Sequence, residues 1–404
     1  MKQYSKVVLA YSGGLDTSVL LHWLKANGVA EVICVAADLG QIKDRASLEK
    51  KAKMSGAAKL HVLDLKETFL RDYAFAALRA GAKYEGVYLL GTATARPLIA
   101  EKLVEIAHLE EASVICHGCT GKGNDQVRFE LMINALDPSL EVLAPWRFWE
   151  IRSRSQEIDY AELHGIPLDV SREDDYSKDE NLWHLSHEGL DLESTENEAD
   201  LDRMLEWSVP PWQAESEPAY VSITFERGYP VAVDDETFDP VSLVSTLNVL
   251  GSRHAIGIDD IVENRLVGMK SRGVYENPAG TILYKAHQYL ESVTLDRDTY
   301  HYKQKLALDY ASLVYNGQWM STLKQALDAF VDKTQEQVSG TVRLKLYRGN
   351  VLPAGISSPY SLYSAGYATF EEDDVYQQSD ATGFIHLYGL PIRIQAKMRQ
   401  RNGL

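Results

Sequence analysis

The stretch VVLAYSGGLDTS, residues 7–18, decides the fold of the first part of the chain. A β-branched and apolar run leads into Ser-Gly-Gly, and an amphipathic segment that includes Val19, Leu20 and Leu24 begins at once. This order predicts a buried strand, a glycine turn and the start of a helix. Backbone N–H groups converge at such a helix start, and glycines let the main chain approach a ligand closely. The stretch therefore predicts a polyphosphate site.

Hydroxyls and a carboxylate accompany this turn. Ser12, Thr17 and Ser18 supply hydroxyl groups, and Asp16 can hold the Mg²⁺ that accompanies phosphates. No lysine follows the glycines, so the Walker pattern is absent. The alternative interpretation is a strand-to-helix turn with an ordinary serine cap.

The first 165 residues alternate between strand-like and helix-like patterns. Predicted strands are 7–11, 32–37, 60–63, 114–117 and 141–143, and predicted helices are 18–27, 43–55, 67–79, 94–110 and 125–136. This alternation predicts an α/β fold with a doubly wound parallel sheet. Ligands bind such sheets at the carboxyl ends of the strands. We therefore expect the glycine turn, Ala37 and Gly118 at one edge.

The rest of the chain predicts an α+β domain and a tail. Seven carboxylates without Lys or Arg between residues 187 and 202 predict an exposed loop. A hairpin is expected over 220–233, and helices over 239–250 and 287–314. The predicted domains are a nucleotide-binding domain (1–168), an α+β synthetase domain (169–366) and a C-terminal oligomerisation tail (367–404).

Composition narrows the class of protein. The chain has 404 residues and a net charge of −17, which disfavours binding to nucleic acid. Three cysteines, Cys34, Cys116 and Cys119, are too few for a disulfide framework and favour a cytoplasmic location. No apolar stretch approaches the length that spans a membrane.

A second dense stretch, CHGCTGKGNDQVR, covers residues 116–128. Asn124 and Arg128 are one helical turn apart, so both can face one ligand. Asp125 can hold or deprotonate an amine, and Arg128 can pair with a carboxylate. The C-x-x-C pattern has a metal or redox alternative, but tetrahedral zinc needs two further ligands.

Three further stretches carry polar and aromatic residues. Residues 88–97 include Tyr88 and are either part of a ligand site or an ordinary capped helix start. Residues 175–186 include Ser177 and Ser186 and are either part of such a site or a surface loop. Residues 261–276 include Glu263 and Tyr275, which can bind the α-amino group of a ligand. The alternative is that this stretch forms a solvated helix and turn.

These five stretches together resemble the argininosuccinate synthase family of the N-type ATP pyrophosphatases. The matching segments are AYSGGLDTS (10–18), ADLGQ (37–41), YLLGT (88–92), HGCTGKGNDQVRFE (117–130), the Ser177/Ser186 stretch and SRGVYE (271–276). The resemblance runs from residue 7 to beyond residue 360.

The resemblance implies the substrates and their residues. ATP, with Mg²⁺, is expected on Ala10, Tyr11, Ser12, Gly13, Gly14, Leu15, Asp16, Thr17, Ser18, Ala37 and Gly118. Citrulline is expected on Tyr88, Asn124, Arg128, Ser177, Ser186, Glu263 and Tyr275. Aspartate is expected on Thr120, Asn124 and Asp125. The residues expected to act in catalysis are Asp16, Asp125 and Arg128.

The resemblance also implies the reaction and the assembly. The citrulline ureido oxygen attacks the α-phosphorus of ATP, giving citrullyl-AMP and pyrophosphate, and the aspartate amine then displaces AMP. A homotetramer is expected, with no organic cofactor and no structural metal. Ala93 stands where many relatives have Ser, and Cys119 replaces a frequent Ala. Two alternatives are another N-type pyrophosphatase, such as a tRNA-thiolating enzyme that uses Cys116 and Cys119, and a non-catalytic nucleotide sensor.

Overall fold

The computed structural model describes residues 3–167, 176–371 and 375–404. The chain divides into two compact units, Met1–Tyr360 and Ser361–Leu404. The predicted domain boundary at 168/169 and Asp175, at the start of the predicted 175–186 stretch, lie outside the described residues.

Five parallel strands form the first sheet. They are β1 (Lys6–Ala10), β2 (Glu31–Asp38), β3 (Lys59–Asp64), β4 (Val114–Cys116) and β5 (Glu141–Leu143), in the order β3-β2-β1-β4-β5. Val7, Val8 and Leu9 of the central strand are fully buried, as expected for a strand covered on both faces. The strand order changes direction between β1 and β4, and such switch points carry ligand sites in open α/β sheets.

The helices of this part follow the strands closely. They are α1 (Leu15–Ala26), α2 (Arg45–Met54), α3 (Lys66–Thr68), α4 (Phe75–Ala80), α5 (Gly91–Leu109), α6 (Asp125–Leu136) and α7 (Arg154–His164), with a 3₁₀ turn at Pro145–Arg147. The predicted α/β fold is confirmed. The helix predicted over 67–79 contains a π-helix at Phe69–Ala74 between α3 and α4.

Two antiparallel sheets follow. The first contains β6 (Ser177–Asn181), β7 (His184–Glu188), β11 (Ile258–Asn264) and β12 (Lys270–Glu276), in the order β11-β12-β7-β6. The second contains β8 (Ala219–Glu226), β9 (Tyr229–Val233), β10 (Glu236–Thr237), β13 (Gly340–Tyr347) and β14 (Asn350–Ser357), in the order β10-β9-β8-β13-β14. The predicted hairpin over 220–233 is formed by β8 and β9.

Most of the acidic segment 187–202 is exposed, as its charge predicted, and five of its seven carboxylates are exposed. It is not a loop throughout, because His187 and Glu188 end β7, a 3₁₀ turn follows, and α8 (Leu201–Met204) begins within the segment. Leu192 in the 3₁₀ turn is buried and packs with Tyr176, Met204 and Val274 in a small apolar cluster, which the charge count did not register.

The remaining helices cover the sheets. They are α9 (Pro240–Arg253), α10 (Pro278–Thr294), α11 (Arg297–Tyr315) and α12 (Thr322–Gln335), and the second unit contains α13 (Ala365–Ala368), α14 (Asp380–Tyr388) and α15 (Leu390–Arg401). The single helix predicted over 287–314 was wrong. It breaks at residues 295–296, because the Asp296 carboxylate accepts hydrogen bonds from the N–H groups of Asp298 and Thr299 and starts α11.

One large apolar core joins the two parts of the first unit. It contains Phe69 and Leu98 from the first part of the chain, and Trp183, Ile223 and Leu283 from the second. The parallel sheet and the antiparallel sheets therefore have fixed relative positions. Among the described residues, no helix combines the length and the apolar character needed to cross a bilayer.

Candidate active site

The glycine turn lies at the carboxyl end of β1, beside the switch point. Gly13 has φ +78°, a backbone conformation that favours glycine, and a Cβ there would also displace the end of the Leu48 side chain. No side chain caps the N-terminus of α1 at Gly14. Its first N–H groups are therefore available to an anion.

The hydroxyl groups of the turn hold its shape. Ser12 Oγ accepts a hydrogen bond from Gly14 N at 3.2 Å and shares one with Thr17 Oγ1 at 3.1 Å. Gly118, which follows β4, lies beside this turn, since a Cβ on it would be 3.5 Å from Thr17 Cγ2. Ala37 lies in β2, next to β1 in the same sheet. The predicted ATP residues therefore meet at one edge.

A buried carboxyl group on α7 accompanies Asp16. Glu157 is almost fully buried, and its Oε1 has no hydrogen-bond partner in the described part of the chain. Burial, and then a hydrogen bond with Asp16, raise the pKa of Glu157. Two adjacent carboxyl groups favour either a shared proton or a cation between them.

The second dense stretch centres on Asp125, at the start of α6. Its carboxylate accepts one hydrogen bond from Arg128 Nη1 at 2.8 Å and another from Arg96 Nε at 2.9 Å. Burial alone would raise the pKa of Asp125, but the two guanidinium groups outweigh burial and lower it. Asp125 is therefore anionic at neutral pH.

Arg96 continues this network to the antiparallel sheet. Its Nη2 donates to Asp179 Oδ2 at 2.7 Å, and Thr92 Oγ1 donates to the same oxygen at 2.7 Å. Thr92 Oγ1 also shares a hydrogen bond with His184 Nε2 at 3.2 Å. Burial lowers the pKa of His184 to about 4, so its imidazole is neutral at pH 7.

A buried carboxylate faces Arg128 from β11. Glu263 accepts hydrogen bonds from Tyr275 at 3.1 Å and from Tyr315 at 2.7 Å, both through the phenol hydroxyls. Arg128 donates from Nε to the Tyr315 carbonyl at 2.8 Å, and its guanidinium lies 4.8 Å from the Tyr315 ring centre. Tyr88 packs 5.0 Å from Tyr275. A cation, a carboxylate and tyrosine hydroxyls thus meet in one place.

Asn124 connects this place to the loop after β11. Its Nδ2 donates to the Tyr315 hydroxyl at 2.8 Å, and its Oδ1 accepts from Leu266 N at 2.8 Å. Both polar atoms of the amide are therefore used, and they fix the start of α6 against α11.

The sequence of this chain is similar to those of known proteins over nearly its whole length. The family described as Arginosuccinate synthase N-terminal HUP domain matches residues 6–167, and the Arginosuccinate synthase C-terminal domain matches residues 176–395. The chain belongs to the argininosuccinate synthase family.

Individual argininosuccinate synthases support the same assignment. The protein from Acetivibrio thermocellus is 58% identical over 402 residues, covering 100% of this chain and 99% of its own length. Those from Desulforamulus reducens and Clostridium botulinum are 59% and 56% identical and each cover 99% of this chain, with 99% and 98% of their own lengths. This chain is an enzyme of that family.

One solved structure is similar to part of the chain. A chain described as a predicted subunit of tRNA methyltransferase from Methanocaldococcus jannaschii covers 39% of this chain, and 75% of its own length is covered. Its TM-score is 0.27 at 18% identity, so no conclusion rests on it.

The structure brings many of the predicted argininosuccinate synthase residues together, and two of them are exposed. Ser186 lies in β7 opposite Tyr275 of β12, but Ser177 is exposed and opposite Glu188. Thr120 is also exposed, and no hydrogen bond joins its side chain to the other predicted residues. Their assignments stay predictions.

Sequence reasoning missed several residues of the site. Arg96 and Asp179 lie inside quoted stretches, where they looked like parts of a helix start and a surface loop. Glu157 and Tyr315 lie outside every stretch, and only the folded structure brings them to Asp16 and Arg128.

The cysteines do not form a metal group in the described part of the chain. Burial raises the pKa of all three thiols, so they are protonated at neutral pH. No group of three or more His, Cys, Asp or Glu side chains among residues 3–167, 176–371 and 375–404 is placed to hold a metal ion.

Proposed function

We propose that the chain performs the reaction of its family in one continuous site that runs from the glycine turn to Glu263. ATP, citrulline and aspartate are the substrates, and argininosuccinate, AMP and pyrophosphate are the products. The single observation that carries the proposal is Asp125, which is held between two guanidinium groups at the start of α6. Through Arg128 it is joined to Tyr315, whose hydroxyl donates to Glu263.

The ATP polyphosphate binds the N–H groups of residues 15–17 at the start of α1, which no residue of the described chain occupies. Asp16 and the turn hydroxyls would hold the Mg²⁺ that accompanies ATP, because hard oxygen ligands suit that ion and the buried Glu157 beside Asp16 has an unpartnered oxygen. When bound, the ion neutralises phosphate charge.

Citrulline binds through both ends of its amino-acid backbone. Arg128 Nη2 donates no hydrogen bond to any residue of the described chain, so it is available to the substrate carboxylate. Glu263 attracts the α-ammonium group, together with the hydroxyl of Tyr275. With that end fixed, the ureido group is free to meet the α-phosphate.

Aspartate binds near Thr120, Asn124 and Asp125. A carboxylate with a lowered pKa is a weak base, so Asp125 holds the substrate amine by charge and does not remove its proton. The lowered pKa thus favours the first of the two roles that the sequence leaves open for Asp125.

The reaction needs no covalent bond to the enzyme. The ureido oxygen forms a bond to the α-phosphorus and pyrophosphate leaves. The aspartate ammonium first gives one proton to solvent, and its neutral nitrogen then bonds to the ureido carbon. AMP leaves with the bonding electron pair, and the second proton released from the nitrogen passes to the departing phosphate or to solvent. The protein contributes positioning and charge neutralisation.

Asp16→Ala tests the polyphosphate assignment. Losing the group that holds the metal removes several kcal/mol of charge stabilisation, so we expect pyrophosphate release to fall about a hundred-fold or more. The matched control is Asp309→Ala, an exposed carboxylate on α11. Near-normal release at saturating Mg-ATP would contradict the assignment.

The overall reaction is tested by omitting each substrate in turn. Pyrophosphate release should require citrulline, and argininosuccinate should appear only when aspartate is also present. A non-catalytic nucleotide sensor would bind ATP but release no pyrophosphate.

The cellular setting completes the proposal. We assign the enzyme to the cytoplasm, since all three cysteines are free. The acidic net charge argues against a nucleic-acid partner. Four copies assemble through the tail, in which α14 and α15 carry exposed apolar side chains, including Phe384, Ile385 and Ile392.

A further inference from the structure

A cavity outside the candidate active site is lined by none of the residues that were assigned to the substrates. It has a volume of about 200 Å³ and is bounded by residues 80–86, α10 and α11. Its wall includes Lys83, Tyr284, Gln288, Lys303 and Gln304. The two glutamines are exposed and mark its opening to solvent.

Most charges in this wall are compensated. Lys303 Nζ forms an ion pair with Glu291 Oε1 at 2.9 Å. Gln335 donates to the same oxygen at 2.6 Å and shares a hydrogen bond with His287 Nε2 at 2.8 Å. Burial lowers the pKa of His287, so it adds no charge at neutral pH. This group is therefore neutral overall.

Lys83 is the exception. Its ammonium lies 5.2 Å from the Tyr284 ring centre and forms no hydrogen bond or ion pair with any described residue. Burial and, after it, the charge of Lys285 lower the pKa of Lys83, and the more distant Asp259 carboxylate acts in the opposite direction. Asp259 accepts its hydrogen bond from Asn277. The wall thus carries one ammonium group that forms no direct ion pair within the described part of the chain.

An unpaired, partly buried ammonium costs free energy unless an anion meets it. We propose that this cavity binds a small organic anion, a carboxylate or a phosphate ester, with its anionic group on Lys83. The exposed amides of Gln288 and Gln304 complete the polar contacts, and Tyr284 supplies an apolar face. The volume is below the ~300–1,000 Å³ typical of pockets for drug-sized ligands, so the ligand is small.

The cavity is joined to the citrulline site by a short path. Lys83 precedes Tyr84, whose ring stacks on Tyr315 at 3.5 Å. Tyr84 also exchanges two backbone hydrogen bonds with Tyr88. Lys303 lies on α11, the helix that ends at Tyr315. An anion that moves Lys83 therefore acts on the residues that hold Glu263 and Arg128. This coupling rests on the proposed citrulline site, whereas anion binding does not.

Calorimetric titration of the full chain tests the binding. The probes are 4-bromobenzoate, a carboxylate, and inorganic phosphate, which also distinguish the two possible anions. We expect one binding event, and we expect Lys83→Met to weaken it at least ten-fold. The control Lys305→Met removes an exposed charge on α11, one of the helices that bound the cavity, and should leave binding unchanged. Lys83→Met removes a buried charge without a partner, so it should fold at least as well as the wild type.

A second variant and a crystallographic measurement test independently whether the probe binds in this cavity. Ala307→Leu fills the cavity without changing charge and should also abolish the event. Bromine anomalous scattering from a soaked crystal should place the probe beside Lys83. Binding that survives both Lys83→Met and Ala307→Leu, or no binding of either probe, would overturn the site.

Steady-state kinetics test the coupling. The probe that binds should change the KM for citrulline at least two-fold in wild type and not in Lys83→Met, while the KM for ATP changes less. An unchanged citrulline KM at saturating probe would refute the coupling and leave both the binding site and the proposed reaction standing. Loss of the reaction in the absence of any probe would instead concern the proposed function.

Discussion

At the residue scale, Arg128 has donors in three directions and uses two of them within the protein. Nε and Nη1 bind the Tyr315 carbonyl and Asp125, and Nη2 remains for a substrate. Replacing it by Leu removes a charged hydrogen-bond partner, which costs about 1.5–3 kcal/mol. We expect the KM for citrulline to rise roughly 10- to 150-fold, with a smaller change for ATP.

Steady-state kinetics with each substrate varied in turn measure this effect. Arg152→Leu, which removes an exposed guanidinium, is the matched control. Arg128→Lys should recover only part of the loss, because an ammonium lacks the forked geometry that binds a carboxylate. Equal losses for ATP and citrulline would mean that Arg128 only supports the fold.

His184 makes stability depend on pH. Its folded pKa is lowered by burial to about 4, whereas the unfolded value is about 6.5. Between these values the unfolded chain binds a proton that the folded protein does not, so the free energy of unfolding falls as pH falls. The full effect is on the order of 3 kcal/mol.

His184→Gln should remove this part of the acid sensitivity. Denaturant unfolding of both proteins at pH 7 and at pH 4.5 measures the difference. The stability gap between the two pH values should be smaller in the variant. Equal gaps would show that His184 does not titrate between the two states.

The same scale shows what the sequence could predict of the site. Asp125 and Arg128 are three residues apart at a helix start, so their pairing is a local property that a motif can carry. Tyr315 is 187 residues from Arg128 and reaches it only because α11 packs there. Glu157 meets Asp16 through the packing of α7 on α1, for which no local pattern exists.

At the element scale, local chemistry explains both the successes and the errors. The strand–glycine–helix order predicted β1 and α1 because each step is set by neighbouring residues. The predicted helix over 287–314 failed because the capping carboxylate of Asp296 outweighs a continuous apolar pattern. The exposed loop predicted over 187–202 holds for most of the segment but not for Leu192, which tertiary packing buries.

The turn after α11 gives a prediction at this scale. Gly317 has φ +74°, and a Cβ there would lie 2.7 Å from the Arg128 Cα. Gly317→Ala therefore combines backbone strain with displacement of α6, and strain alone costs about 1–3 kcal/mol. We expect a lower melting temperature and a raised citrulline KM.

Gly268→Ala is the matched control for this variant. Gly268 also has a positive φ, +94°, but a Cβ there meets nothing within 4 Å. It should lose stability through backbone strain alone, and therefore less than Gly317→Ala, without the larger change in citrulline KM. If both variants change citrulline KM equally, the contact between Gly317 and Arg128 is not what positions the guanidinium.

At the scale of the whole molecule, charge is distributed unevenly. The chain has a net charge of −17, yet Arg96, Arg128 and Arg265 lie at the candidate site, each paired with a carboxylate. Net charge therefore carries no information about the charge of the site. Composition also does not predict the apolar core that joins the parallel and antiparallel parts, because the residues of that core are far apart in the sequence.

The second unit, 361–404, provides the prediction for assembly. Its two long helices bury none of their residues, and Phe384 stacks on Tyr388 at 5.2 Å without further cover inside the unit. Apolar area that remains exposed on so short a segment favours association. Removal of residues after Tyr360 should therefore convert a tetramer into smaller species.

Light scattering of the truncated protein measures this change, and a point variant makes the test specific. Ile385→Asp places a charge on the apolar face of α14, whereas Thr382→Asp adds the same charge to an exposed polar position of that helix. Burying a charge at an interface costs far more than leaving it in water, so only Ile385→Asp should lower the mass. An unchanged tetramer mass after truncation would refute the role of the tail, because no tail side chain would then remain to hold the copies together.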